Sequence, residues 1–201
     1  MVRLSQSQYR ALGNALREAE HGGENRTAIL AIRLLALTGC RRGEIERLQW
    51  AEIDLEACCL RLSDTKEGKS VRPIGKAAWE LLRQDLACAV GKYVLLGRSA
   101  DEHFKGLPKA WLRIVKSCDL SLTPHGLRHA YASVASDLGY TEPTIAAMIG
   151  HSSNSTTSRY IHHLDTALVS AADKVSEWIA ESMNQCDPEE ESLLPTMEHR
   201  I

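Results

Sequence analysis

No stretch of this 201-residue chain approaches the ~20 consecutive apolar residues that a membrane span requires, and the longest apolar run, Ala28 to Leu37, is broken by Arg33. The start, Met1-Val-Arg-Leu-Ser-Gln-Ser, lacks an apolar stretch followed by a small-residue cleavage site, so no export and no membrane partner is expected. The six cysteines (40, 58, 59, 88, 118 and 186) form no C-x-x-C pair, which argues against a zinc site or a disulfide framework. They read as reduced thiols of a cytosolic protein. No internal repeat is present, and no acidic cluster has the spacing of a two-metal site; neither metal nor cofactor is expected.

Basic charge is not in excess either: 24 Lys and Arg against 26 Asp and Glu give a net −2. Lys and Arg supply most nucleic-acid affinity, so this total argues against a DNA partner. Its distribution argues the other way. Residues 26–165 carry 19 Lys and Arg against 15 Asp and Glu, whereas residues 173–201 carry 2 against 8. The acid sits in a tail. An apolar fraction of 44% and a charged fraction of 25% match ordinary globular composition, and the length suits one core.

Apolar periodicity predicts a first helix through Tyr9, Leu12, Ala15 and Leu16, capped by Ser5 or Ser7, and a second, buried on most sides, over Thr27–Leu37 and ended by Gly39. A third helical pattern runs from Arg42 to Trp50. The period then shortens: Ile53-Asp-Leu, Cys59-Leu-Arg-Leu and Val71-Arg-Pro-Ile read as three short antiparallel strands, with Lys66-Glu-Gly-Lys turning between the last two. Further helices are expected over 77–89, 105–118, 125–138, 142–149, 154–162 and 165–182. The fold class is thus α+β, mainly α-helical, with a small antiparallel three-stranded sheet. Residues 1–182 form the domain, and 183–201 an acidic tail expected to be disordered.

Four short segments in fixed order carry the chemistry: Leu37-Thr-Gly-Cys-Arg-Arg-Gly-Glu44, Thr65-Lys66, His125-Gly-Leu-Arg-His129, and Gly150-His151 followed by Tyr160. Arg41 sits at a junction where glycine permits a sharp turn, and Glu44, on the same helical face, is placed to hold it by a bidentate pair. Arg42 reads as a solvated neighbour. His125 and Arg128, three apart, share a helix face within reach of one phosphate, while His129 reads as structural. Tyrosine, with a pKa of about 10, is a poor nucleophile at neutral pH unless cations or a base lie nearby. Two arginines, a lysine, histidines and a tyrosine are the groups needed to attack a phosphodiester with a side-chain hydroxyl and stabilise the resulting anion.

The order T-G-x-R-x-x-E, T-K in a hairpin, H-x-L-R-H, then G-H and nine residues to Tyr resembles the catalytic domain of the tyrosine recombinases, the phage integrase family, over about residues 5–180. The resemblance implies that fold and a site-specific recombinase or integrase acting on double-stranded DNA through a 3′-phosphotyrosine. It implies Arg41 and Arg128 as phosphate clamps, His125 and His151 as hydrogen-bonding and proton-handling partners, Lys66 as acid to the leaving 5′ oxygen, Tyr160 as nucleophile and Glu44 as buttress. It also implies a homotetramer on DNA, with the stripe Leu168, Ala171, Val175 and Ile179 either docking on another protomer or packing on its own core. The family's usual N-terminal core-binding domain has no room ahead of this region, so a fragment or a stand-alone catalytic module is expected. Two alternatives share the pattern: a type IB topoisomerase, and a DNA-binding accessory module without turnover.

Overall fold

A computed structural model describes residues 3–65, 68–118, 120–150 and 166–185. Helix α1 (Gln6–His21) opens on the capping box that Ser5 permits: the Ser5 hydroxyl accepts from the Gln8 N–H at 3.2 Å, and Gln8 Oε1 accepts from the Ser5 N–H at 2.9 Å. Helix α2 (Arg26–Thr38) begins at Asn25, whose side chain accepts from the N–H groups of Thr27 and Ala28. Its residues from Ala28 to Leu37, Arg33 apart, are buried, because α1, α4 (Lys76–Leu86), α5 (Leu107–Ile114), α6 (Pro124–Asp137) and α8 (Thr166–Asn184) all pack around it. Gly39 ends α2 with φ +61°, and a Cβ there would lie 2.7 Å from the Tyr131 ring. Only glycine fits this turn without strain.

The helix expected from Arg42 to Trp50 is shorter. Helix α3 (Arg42–Glu46) stops after five residues, and the chain is extended at Gln49 before a 3₁₀ turn over Trp50–Glu52. The cause lies far along the sequence. Gln49 bridges to Tyr93, the Trp50 N–H donates to the Lys92 carbonyl at 3.2 Å, and the Leu48 carbonyl accepts from the Val94 N–H at 2.9 Å. Partners some forty residues away thus claim the backbone groups that a continued helix would have used.

Strands β1 (Ile53–Asp54), β2 (Cys59–Thr65) and β3 (Gly68–Pro73) form the antiparallel sheet in the order β1-β2-β3. Leu60 stands opposite Ile53 on one side and Arg72 on the other, and Thr65 opposite Gly68. Lys66 and Glu67 lie outside the described residues. The helix expected over 105–118 divides into α5 and a 3₁₀ turn at Val115–Ser117, and the region expected over 142–149 is α7 (Glu142–Ile149). The expected helix at 154–162 and the residues after Gln185 lie outside the described residues.

Helix α8 settles the two readings of its stripe. Ala171, Val175 and Ile179 are fully or almost fully buried against this chain's own α1, α2, α4 and α6, so docking of that stripe on another protomer is overturned. Met183 is buried as well, so the packed core reaches the last turn of α8. Among the described residues no helix is long and apolar enough to cross a membrane, and Cys40, Cys58, Cys59, Cys88 and Cys118 are free thiols.

Candidate active site

The turn that Gly39 makes delivers Arg41 to the N-cap of α3. There its backbone N–H donates to Glu44 Oε2 at 2.8 Å and its Nη1 to Glu44 Oε1 at 3.1 Å. Glu44 therefore grips Arg41 through main chain and side chain together, rather than through the fork-to-fork pair expected. A carboxylate in the first turn is also favoured by the helix dipole. Arg42 is the solvated neighbour, with a loose pair to Glu46 at 3.5 Å.

Pro124 starts α6 one turn before Arg128, and the arginine side chain turns inward. Arg128 is 2% exposed; its Nη1 donates to the Gly39 carbonyl at 2.9 Å, tying α6 to the turn that presents Arg41. Its Nη2 is buried and has no hydrogen-bond partner among the described residues. Burial, then the positive charge of Arg41, pushes the Arg128 pKa down to about 10, still well above neutrality, so the guanidinium stays charged.

His125 lies exposed at the start of α6, its ring edge-on to the exposed His129 at a centroid distance of 5.1 Å. Desolvation, helped by the charges of His129, Arg128 and Arg41, holds its pKa below the ordinary 6.5. At neutral pH it is an uncharged imidazole able to accept as well as donate.

Arg41, Glu44, His125 and Arg128 thus converge on one corner. Lys66, His151 and Tyr160 lie outside the described residues. Chain connectivity leads toward two of them: β2 and β3 run to either side of Lys66, and α7 ends at Gly150, immediately before His151.

One further residue belongs to this corner and was not singled out from the sequence. Arg72, near the end of β3, is 1% exposed, and its Nη2 donates to Glu44 Oε1 at 2.9 Å. Glu44 is thus a shared acceptor for two arginines, and with Arg128 three guanidinium groups surround one carboxylate. The corner carries excess positive charge in a poorly solvated setting, which is what an anionic phosphate needs. A signal for Arg72 existed in strand parity: it lies in phase with Ile74 and opposite Leu60, both 1% exposed, so the alternation points it inward. By contrast, a surface groove between α4 and α8 is lined by Glu80, Asp173, Glu177 and Glu181 with Lys76, and its charge repels phosphate.

Comparison with known proteins follows the same outline. The model of the Phage integrase family matches residues 2–167. Tyrosine recombinase XerA of Saccharolobus solfataricus is 30% identical over 137 residues, covering 66% of this chain and 45% of the relative. Tyrosine recombinase XerD of Halalkalibacterium halodurans is 28% identical over 150 residues, covering 68% and 50%. The chain therefore spans about half the length of these curated relatives. Among solved structures, the crystal structure of XerA recombinase superposes with a TM-score of 0.61 at 20% identity, covering 85% of this chain and 63% of that one. A lambda integrase tetramer bound to a Holliday junction gives 0.59 at 22% identity, covering 76% and 47%. Those two likenesses are of fold.

Proposed function

Because the chain belongs to the phage integrase family, we propose that it supplies the catalytic part of a tyrosine recombinase, cutting and rejoining duplex DNA through a covalent 3′-phosphotyrosine. The observation that carries this reading is the convergence of Arg41 and Arg128, from two separate elements, around the Gly39 turn, with a buried Nη2 left to receive an anion.

In this reading the scissile phosphate lies against the two guanidinium groups. Tyr160 Oη attacks phosphorus and gives up its proton to a neighbouring histidine. The bond from phosphorus to the 5′ oxygen breaks, and Lys66 protonates that oxygen as it leaves. Negative charge peaks on the non-bridging oxygens of the pentavalent state, where the arginines donate most strongly. The phosphotyrosine conserves the energy of the broken ester, so a 5′ hydroxyl from another strand can reverse the step. The acidic residues that follow α8 in the sequence, from Asp187 to Glu198, act outside this chemistry. Four copies assemble on DNA; the lambda integrase tetramer on a Holliday junction, with the same fold, supports that arrangement.

The test uses a pool of nicked suicide duplexes of randomised sequence, from which the short cleaved strand diffuses away and leaves the protein trapped. The native chain is expected to give a denaturant-resistant protein–DNA adduct with chelator present. DNA binding without any adduct favours the accessory-module alternative, and plasmid relaxation without exchanged strands favours the topoisomerase.

A further inference from the structure

Arg72 joins three parts of the corner that the sequence keeps far apart. It stands on β3, the strand that begins two residues after Lys66 in the sequence. Its Nη2 holds the carboxylate oxygen that also receives Arg41 Nη1, at 2.9 and 3.1 Å. Its Nη1 donates to the Ser70 hydroxyl and, at 3.4 Å, to the Val71 carbonyl, which fixes the guanidinium plane relative to its own strand. The same group lies against Gly150, where φ is +68° and an added Cβ would overlap the guanidinium. Gly150 is thus required both by its backbone and by Arg72, and the next residue is His151.

A planar fork with several donors suits this junction, whereas a lysine would carry the charge without the geometry. The burial is also costly unless the pair with Glu44 is kept. A salt bridge needed only for strength could be replaced by well-packed apolar side chains at little loss. Here the shared carboxylate is instead the group that orients Arg41. We infer that Arg72 is a positioning residue for strand cleavage: through Glu44 it fixes where the Arg41 guanidinium meets the scissile phosphate. This rests on the reading of Arg41 as a phosphate clamp.

The test has two arms, each run on the full chain with Arg72→Met and Arg72→Lys. In the first, protein labelled with ¹⁵N-arginine is followed by NMR at the hydrogen-bonded Nη1–H resonance of Arg41, assigned by its loss in Arg41→Lys. That resonance is expected in the native chain and lost in both variants. In the second, single-turnover adduct formation on the suicide duplexes, measured at saturating protein so that any change in DNA affinity drops out, is expected to slow by about 100-fold in Arg72→Met, the scale of an ångström-sized misplacement. A methylphosphonate at the scissile linkage removes one charged oxygen and lessens the need for a placed clamp, so it is expected to narrow that gap.

An Arg41 resonance that persists in a folded variant overturns the inference, as does a slowing that methylphosphonate leaves untouched. Should Arg72→Met fail to fold, Arg72→Lys, which keeps the charge, carries both arms. No adduct from the native chain on any duplex overturns the cleavage reading itself, and the resonance arm then still decides whether Arg72 holds Arg41.

Discussion

A buried guanidinium costs several kcal/mol unless its donors are satisfied, and Arg128 satisfies one at the Gly39 carbonyl while Nη2 finds no partner among the described residues. This is unfavourable for folding and favourable for gripping an anion. Arg128→Met is therefore expected to leave the DNA-free protein no less stable in urea unfolding, yet to lower the adduct rate by about 100- to 1000-fold, the usual loss for one donor to a developing oxyanion. Lower stability together with an unchanged rate would make Arg128 a structural residue. At His125 the sign of the pKa shift matters. Its depression means the folded protein resists protonating the ring, chiefly because desolvation penalises the charged form and further because a positive charge there would face His129, Arg128 and Arg41. An NMR pH titration is expected to place its midpoint below 6.5. His129→Ala should move that midpoint up toward 6.5 without reaching it, since desolvation, the larger cause, remains. The His125 contribution to stability is accordingly present above the unfolded pKa and is lost as pH falls through that value and toward the lower folded one.

At the scale of elements, two short junctions present the site. Gly39→Ala meets both the left-handed penalty of about 1–2 kcal/mol and the Tyr131 ring 2.7 Å from its new Cβ, an overpacking of about 1–3 kcal/mol. Thermal unfolding is expected to show the combined loss, with Tyr131→Leu in the same chain recovering part of it; additive losses would mean that the ring is not the obstacle. These junctions also mark how far the sequence could be read. Caps and periodicity are local signals, so Ser5 announces the start of α1 and Gly39 the end of α2 from neighbouring residues alone. The end of α3 is decided by Lys92, Tyr93 and Val94, which no local pattern near Gln49 can reveal. Arg72 was visible only as an inward position in a strand that continues through Pro73, and charge made the outward reading the natural one. Arg41, Glu44, His125 and Arg128 were legible because their order and spacing resemble the motifs of the phage integrase family.

At the scale of the molecule, α8 closes the core instead of reaching for a neighbour through its apolar stripe. Ile179→Ala is expected to cost about 2–5 kcal/mol, with a melting temperature that does not change with protein concentration. A concentration-dependent melting temperature would return the stripe to a subunit interface. In the proposed reaction a hydroxyl of this chain becomes esterified to DNA. Trapped adduct from the native chain, digested and sequenced by mass spectrometry, tests it most directly: phosphate from the cleaved strand is expected on Tyr160, and Tyr160→Phe is expected to yield no adduct. Nucleotide attached to any other residue, or adduct that survives the substitution, would contradict it.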